Sequence, residues 1–330
     1  MLEARHKKKY DEEARMTVAF IFPGQGSQAV GIGRELADAF PAAQAVFNEV
    51  DEALGQKLSA IMWDGPAETL QLTENAQPAL MAVSMAVVRV LEADFGVSVR
   101  QHAGFVAGHS LGEYSALAAA GTFSLADTAR LLRTRGEAMQ KATPVGTGAM
   151  AALLGLDFET AVKVADEAAQ GDVCQAANDN APGQVVVSGA KAAVERAVEI
   201  AKTHGAKRAM LLPVSAPFHC ALMQPAADVM ATALAGMTMH NPAVPLVANV
   251  VAGAVSDAAD IRANLVKQVT GTVRWRESVE WMVAHGVDMF AETGAGKVLT
   301  GMGKRMAPDA QCMATTSVAD IEALAAALKG

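Results

Sequence analysis

The chain has 330 residues, 52% of them hydrophobic and 19% charged, with a formal net charge of −8. That composition provides a large apolar core and excludes a disordered chain, and the acidic balance argues against a general nucleic-acid binder. Cys174, Cys220 and Cys312 are too far apart for a metal-ligand spacing or a disulfide framework, so a reduced, cytoplasmic setting is expected.

Residues 1–15 are of mixed charge and lack the apolar stretch of a signal peptide. They read as a disordered leader or an expression-derived extension, with Met16 as the natural start. No uninterrupted apolar run approaches the length of a membrane span. Val18–Phe22 is strand-like and ends at Pro23-Gly24-Gln25-Gly26-Ser27-Gln28. Helical patterns follow at residues 33–39, 42–54 and 77–95. Ala103–Ala107 is a second strand, and it runs through Gly108-His109-Ser110-Leu111-Gly112 into a helical Glu113–Ala120.

Ser124-Leu125-Ala126-Asp127 has the form of a capping box for a helix reaching about Lys141. Its projection gathers Leu125, Thr128, Ala129, Leu132, Gly136 and Met139 on one face. Arg135 falls on the flank of that face, where it either snorkels to solvent or is held for an anion. The helix alone favours snorkelling. Pro144–Gly148 reads as a linker. Beyond it come a strand (149–154), a helix (158–169), strands at 173–177 and 184–189, a helix (191–204) and a strand (209–212). This β-α-β-β-α-β order is the ferredoxin-like split motif. The expected fold is therefore α/β. A large, α/β-hydrolase-like domain with a parallel sheet core spans residues 16–143 and 214–330, and a small ferredoxin-like domain is inserted at 144–213.

Strand, tight turn and helix around Gly-x-Ser-x-Gly form a nucleophile-elbow pattern. It lifts the Ser110 hydroxyl clear of the sheet at the positive end of a helix, where an oxyanion would be stabilised. A glycine-rich turn without chemistry meets the same pattern. Of the histidines that could serve as its base, His6 is in the leader and His109 is inside the elbow. His102, His204, His240 and His285 sit in polar or helix-end contexts. His219 follows the inserted domain in Val214-Ser215-Ala216-Pro217-Phe218-His219-Cys220, where Pro217 restrains the backbone. Taken alone, a structural role is the plainer reading of His219.

Several blocks occur in one order: Phe22–Gln28, Gly108–Tyr114, Arg133–Gly136, Asn178–Val186, Ala216–Cys220, Gln268, Val273-Arg274-Trp275 and Glu292–Leu299. Over residues 16–330 this series resembles the malonyl-CoA:acyl-carrier-protein transacylases of bacterial fatty-acid synthesis. The resemblance implies Ser110 as nucleophile and His219 as its base, oriented by a carbonyl oxygen at Gln268 instead of an acid. It implies Gln25 and Leu111 N–H groups as the oxyanion hole, with His109 supporting the elbow. Arg135 would then pair with the free carboxylate of malonyl, and Phe218 would favour malonyl over methylmalonyl. Asn178 and Asn180 either contact substrate or cap a turn.

No metal or bound cofactor is implied. The expected partners are malonyl-CoA and an acyl carrier protein, with no nucleic acid and no membrane, and the chain is expected to be a monomer. Lys207-Arg208, Arg274, Arg276 and Lys304-Arg305 are candidate contacts for an acidic carrier, or plain solvated surface. Gly294-Ala295-Gly296-Lys297 lacks the full phosphate-loop pattern and reads as a turn between strand and helix. Three other readings remain: the same chemistry loading a polyketide carrier, a serine esterase or thioesterase, and a carrier-docking subunit without catalysis. In the usual hydrolase order the histidine comes late, whereas more than a hundred residues follow His219 here.

Overall fold

Val18–Phe22 is apolar without alternation, the pattern of a strand covered on both faces, and all five residues are buried. The computed structural model describes residues 16–329, so the leader expected at 1–15 lies outside the described residues. Val18–Phe22 (β1) belongs to a six-stranded sheet. Its other strands are β2 (Ala103–Gly108), β7 (Leu246–Ala248), β8 (Gly253–Val255), β9 (Met289–Glu292) and β10 (Gln311–Ala314). The order is β10-β9-β1-β2-β7-β8. Every pairing is parallel except that of β7 with β8. In such a sheet ligands bind beyond the carboxyl ends of the strands. The register pairs Phe22 with Gly108, so the loop after β1 and the turn after β2 start side by side.

The helix Thr73–Ala93 is buried along most of its length and packs against the helix Leu125–Lys141. It is long and apolar enough to cross a bilayer by composition, yet 83% of its most apolar window lies inside the protein. The sequence pattern places its start at about residue 77. It starts instead at Thr73, with Pro78 inside. Its first turn packs tightly on Gly136, where a Cβ would lie 2.6 Å from both Thr73 O and Glu74 Cα. The two helices touch backbone to backbone at that point, which local sequence does not reveal. Short helices at Leu58–Asp64 and Ala67–Gln71 were also not anticipated. Ser124 caps the helix Leu125–Lys141 by accepting from the Asp127 N–H, as expected.

The chain from Gly148 to Leu211 builds a second sheet. Its strands are β3 (Gly148–Leu154), β4 (Cys174–Ala181), β5 (Gln184–Ala190) and β6 (Arg208–Leu211), in the order β4-β5-β3-β6 with every pairing antiparallel. The helices Phe158–Ala169 and Lys191–Thr203 pack on it through a separate apolar cluster that includes Leu153, Val164, Val187 and Val194. This is the ferredoxin-like arrangement. β4 runs four residues past the expected end at Ala177, through the polar Asn178-Asp179-Asn180. The pairing with β5 continues there, with Asn178 opposite Val186 and Asp179 opposite Val185, and on the other edge the Val273 N–H donates to Ala177 O while its carbonyl accepts from the Asp179 N–H. A segment of the larger sheet's side thus joins the ladder where β4 reaches the cleft.

Candidate active site

Ser110 sits between β2 and the helix Gly112–Ala119 with φ 53°, a left-handed conformation that non-glycine residues rarely adopt. The turn closes because of its glycines. A Cβ on Gly108 would lie 2.0 Å from the Gly112 carbonyl, and one on Gly112 would lie 2.2 Å from Phe22 O. Asn249, just past β7, fixes the turn from a third strand. Its Oδ1 accepts from the Ser110 N–H at 2.8 Å, and its Nδ2 donates to Gly108 O at 2.7 Å.

His219 is buried and also left-handed, with φ 59°. Its Nε2 is 2.8 Å from Ser110 Oγ, and its Nδ1 is 2.9 Å from the main-chain oxygen of Gln268. A carbonyl only accepts, so Nδ1 carries the proton and Nε2 presents its lone pair to the serine hydroxyl. Burial, reinforced by the nearby Arg135 charge, lowers the His219 pKa to about 3. The imidazole therefore waits in its neutral form.

Arg135 does not snorkel. It is 1% exposed, because Gln77, Tyr114 and Gln268 from other elements close over it. Nη1 donates to Gln77 Oε1 at 2.8 Å; Nη2 donates to Gln268 Oε1 at 2.9 Å and to Ser110 Oγ at 3.2 Å. The guanidinium carbon lies 5.6 Å from the centre of the Tyr114 ring. Its Nε has no partner among the described residues. A buried guanidinium with donors to spare, beside a serine hydroxyl, is a site for an anion.

These groups line a cleft of about 360 Å³ between the two sheets, with Gln25, Leu111, Asn178, Asn180 and Phe218 also in its wall. The backbone N–H groups of Gln25 and Leu111 donate to no acceptor among the described residues. Gly24 brings the Gln25 loop in, since a Cβ there would meet His109 O at 2.9 Å. His109 points away from the serine. Its Nε2 bonds Asn180 Oδ1 at 2.8 Å and its ring lies 5.8 Å from that of Trp275. Burial lowers its pKa despite the Asn180 bond. Phe218 is mostly buried beside His219.

All ten site residues named from the sequence border this one cleft or support it. Three were missed: Gln77, Glu113 and Asn249. Glu113 directly follows the elbow but carried no role. Asn249 follows a three-residue strand, and Gln77 lay at the misplaced helix start. Of the basic candidates, Arg274 pairs with Glu277, Arg276 with Asp179 and Glu280, and Arg305 donates to Gln184. Gly294–Lys297 is a turn between β9 and the helix Val298–Met306, as expected.

Residues 19–321 match the model of the acyl transferase domain family. The chain is 47% identical over 311 residues to the malonyl CoA-acyl carrier protein transacylase of Escherichia coli K12, covering 94% of this chain and 98% of that one. Among solved structures it is similar to the acyl-carrier-protein-S-malonyltransferase of Bartonella henselae, with 56% identity and a TM-score of 0.93 over 96% of this chain and 100% of that one. It is also similar to a malonyl-transacylase solved in complex with its type II polyketide acyl-carrier protein, with 43% identity and a TM-score of 0.91 over 94% and 99%.

Proposed function

Because the chain belongs to the acyl transferase family, we propose that it moves a malonyl group from coenzyme A to the phosphopantetheine thiol of an acyl carrier protein by way of a malonyl-serine ester. The observation that carries this reading is the buried Arg135 fork 3.2 Å from the Ser110 hydroxyl. An acyl group ending in a carboxylate fits both at once.

Ser110 Oγ attacks the thioester carbonyl while His219 Nε2 takes its proton. The Gln25 and Leu111 N–H groups hold the oxyanion that forms. The imidazolium is stabilised by the Gln268 carbonyl and hands its proton to the departing coenzyme A sulfur. In the second half the carrier thiol gives its proton to His219 and attacks the ester, and the same proton returns to Ser110 as the ester breaks. Arg135 holds the malonyl carboxylate throughout. Asn180 steadies His109 and so the elbow, Asn178 walls the cleft, and Phe218 crowds the α-carbon.

In this scheme residues 16–143 and 214–330 carry the nucleophile, base and clamp, and residues 144–213 close the cleft from above. The three cysteines Cys174, Cys220 and Cys312 are free, which supports a cytoplasmic setting. Similarity to a transacylase bound to a polyketide carrier favours a second partner class for the same chemistry.

Intact-mass analysis tests the proposal. Malonyl-CoA should add one malonyl group to the protein, acetyl-CoA should add nothing, and a holo carrier should discharge the adduct. Ser110→Ala should remain unmodified. Release of free malonate without an adduct would point to a hydrolase, and neither adduct nor turnover to a docking subunit. Parallel discharge onto fatty-acid and polyketide carriers separates the two partner classes.

A further inference from the structure

Glu113 is a fully buried carboxyl that the scheme above leaves unused. Its Oε2 accepts from the Asn249 N–H at 3.1 Å and from Gln268 Nε2 at 3.0 Å, while Oε1 has no partner among the described residues. Gln268 Oε1 faces the other way and accepts from Arg135. The amide therefore spans a buried acid and a buried base, with its carbonyl toward the cation and its NH₂ toward the carboxyl. A flipped amide would set donor against donor at Arg135 and acceptor against acceptor at Glu113, so the network fixes the orientation.

The spacing has a chemical meaning. A carboxylate in direct contact would occupy the guanidinium fork and exclude an anionic substrate. One amide away, Glu113 leaves the fork open yet still acts on its charge. We propose that Glu113 is a positioning residue that sets the affinity for the substrate's carboxylate, acting on Arg135 through the Gln268 amide. This rests on the function proposed above.

Charge then couples to substrate. Ionised Glu113 opposes the arrival of a second anion at Arg135, and neutral Glu113 does not. Burial raises its pKa to about 7, against the smaller opposing pull of Gln268, Asn249 and Arg135. The groups around it leave that window clear. Arg135 on the helix Leu125–Lys141 stays cationic, Tyr114 on its own helix is raised to about 12, His219 beyond Gln268 is lowered to about 3, and burial also lowers His109 in the elbow. Docking of the substrate carboxylate therefore draws a proton from solvent onto Glu113, by thermodynamic reciprocity.

The test is calorimetric binding to Ser110→Ala, which cannot be acylated, and to Ser110→Ala/Glu113→Gln. The parent should bind malonyl-CoA about fivefold more weakly at pH 8 than at pH 6, relative to acetyl-CoA. In the double variant that relative change should vanish, with affinity for malonyl-CoA held at the low-pH level. A merely structural role would shift both thioesters alike, and that result would overturn the proposal, as would the same pH dependence in both proteins. Should the double variant fail to fold, the parent alone decides. Titration in buffers of different ionisation enthalpy must show proton uptake with malonyl-CoA beyond that with acetyl-CoA, and equal uptake overturns the proposal. Equal affinity of the parent for the two thioesters would overturn the substrate reading itself, and this inference with it.

Discussion

Replacing Arg135 with alanine should exchange a malonyl-selective site for one that hardly distinguishes malonyl from acetyl. The guanidinium is 1% exposed and makes three hydrogen bonds within the protein. Removing one partner of a buried charge pair loses about 3–5 kcal/mol. At about 1.4 kcal/mol per decade, malonyl acylation should fall by about two to nearly four orders of magnitude in kcat/KM. Acetyl-CoA behaves differently, because in the wild type it leaves the buried cation without an anion. Its rate should hold or rise when the cation is removed. The malonyl-to-acetyl ratio should therefore drop by about a hundredfold or more. Arg135→Lys, which keeps the charge but cannot make two parallel bonds, should fall between. Rapid-quench intact-mass measurement of Ser110 acylation at several concentrations of each thioester gives both kcat/KM values. Thermal melting beside it separates a local defect from unfolding. A ratio that stays within about threefold of wild type in a folded variant would refute the carboxylate clamp.

Gln268→Ala should be much milder than Ser110→Ala, since His219 leans on the main-chain oxygen of Gln268, which alanine retains. Most of its defect should appear in the KM for malonyl-CoA, through the lost bond to Arg135; a loss as severe as that of the serine variant would contradict this. Phe218→Ser should admit methylmalonyl-CoA, assayed by the mass of the acyl-enzyme, and absence of that adduct would count against a steric role for the ring. The His219 contribution to stability should be lost as pH falls below about 6.5, the ordinary histidine value, while Glu113, raised to about 7, contributes in the opposite sense over the same range. There the unfolded chain takes up protons that buried His219 refuses until about pH 3, and His109 likewise resists. Both folded pKa values are depressed, so the stabilisation is present above 6.5 and is lost as pH falls. His219 contributes a slope of about 1.4 kcal/mol per pH unit in that range. Denaturant unfolding between pH 7 and 5 should show the slope reduced in a folded His219→Gln; an unchanged slope would refute the assignment.

The elbow could be read from the sequence because its geometry admits no other residue at two positions. A Cβ on Gly108 would meet the Gly112 carbonyl within the motif itself, and one on Gly112 would meet Phe22 O at the end of the neighbouring strand β1. The ferredoxin-like unit was legible from the order of its elements. The burial of Arg135 was not legible from its own helix, which shows only one face while Gln77, Tyr114 and Gln268 reach it from elsewhere; its role came only from the family resemblance. Glu113 and Asn249 stayed hidden for a related reason. Both act by hydrogen bonds to groups 136 to 155 positions away, and a buried carboxyl in a helix has no local signature. The polar run at Asn178–Asn180 reads as a turn in the sequence, yet it pairs with Val186 and Val185 of β5 and is held on its other edge by Val273.

Ser110 and His219 share a left-handed main chain, at φ 53° and 59°. A side chain with two heavy branches at Cβ is poorly tolerated there. Threonine is a competent nucleophile in other enzymes, yet in this turn its extra methyl would be set against the backbone itself. Cysteine has a single branch and meets no such obstacle. The repertoire of nucleophiles open to this scaffold, whether by drift or by design, is therefore narrowed by torsion before reactivity is ever tested: a thiol lies one substitution away, and a secondary alcohol lies behind a conformational barrier.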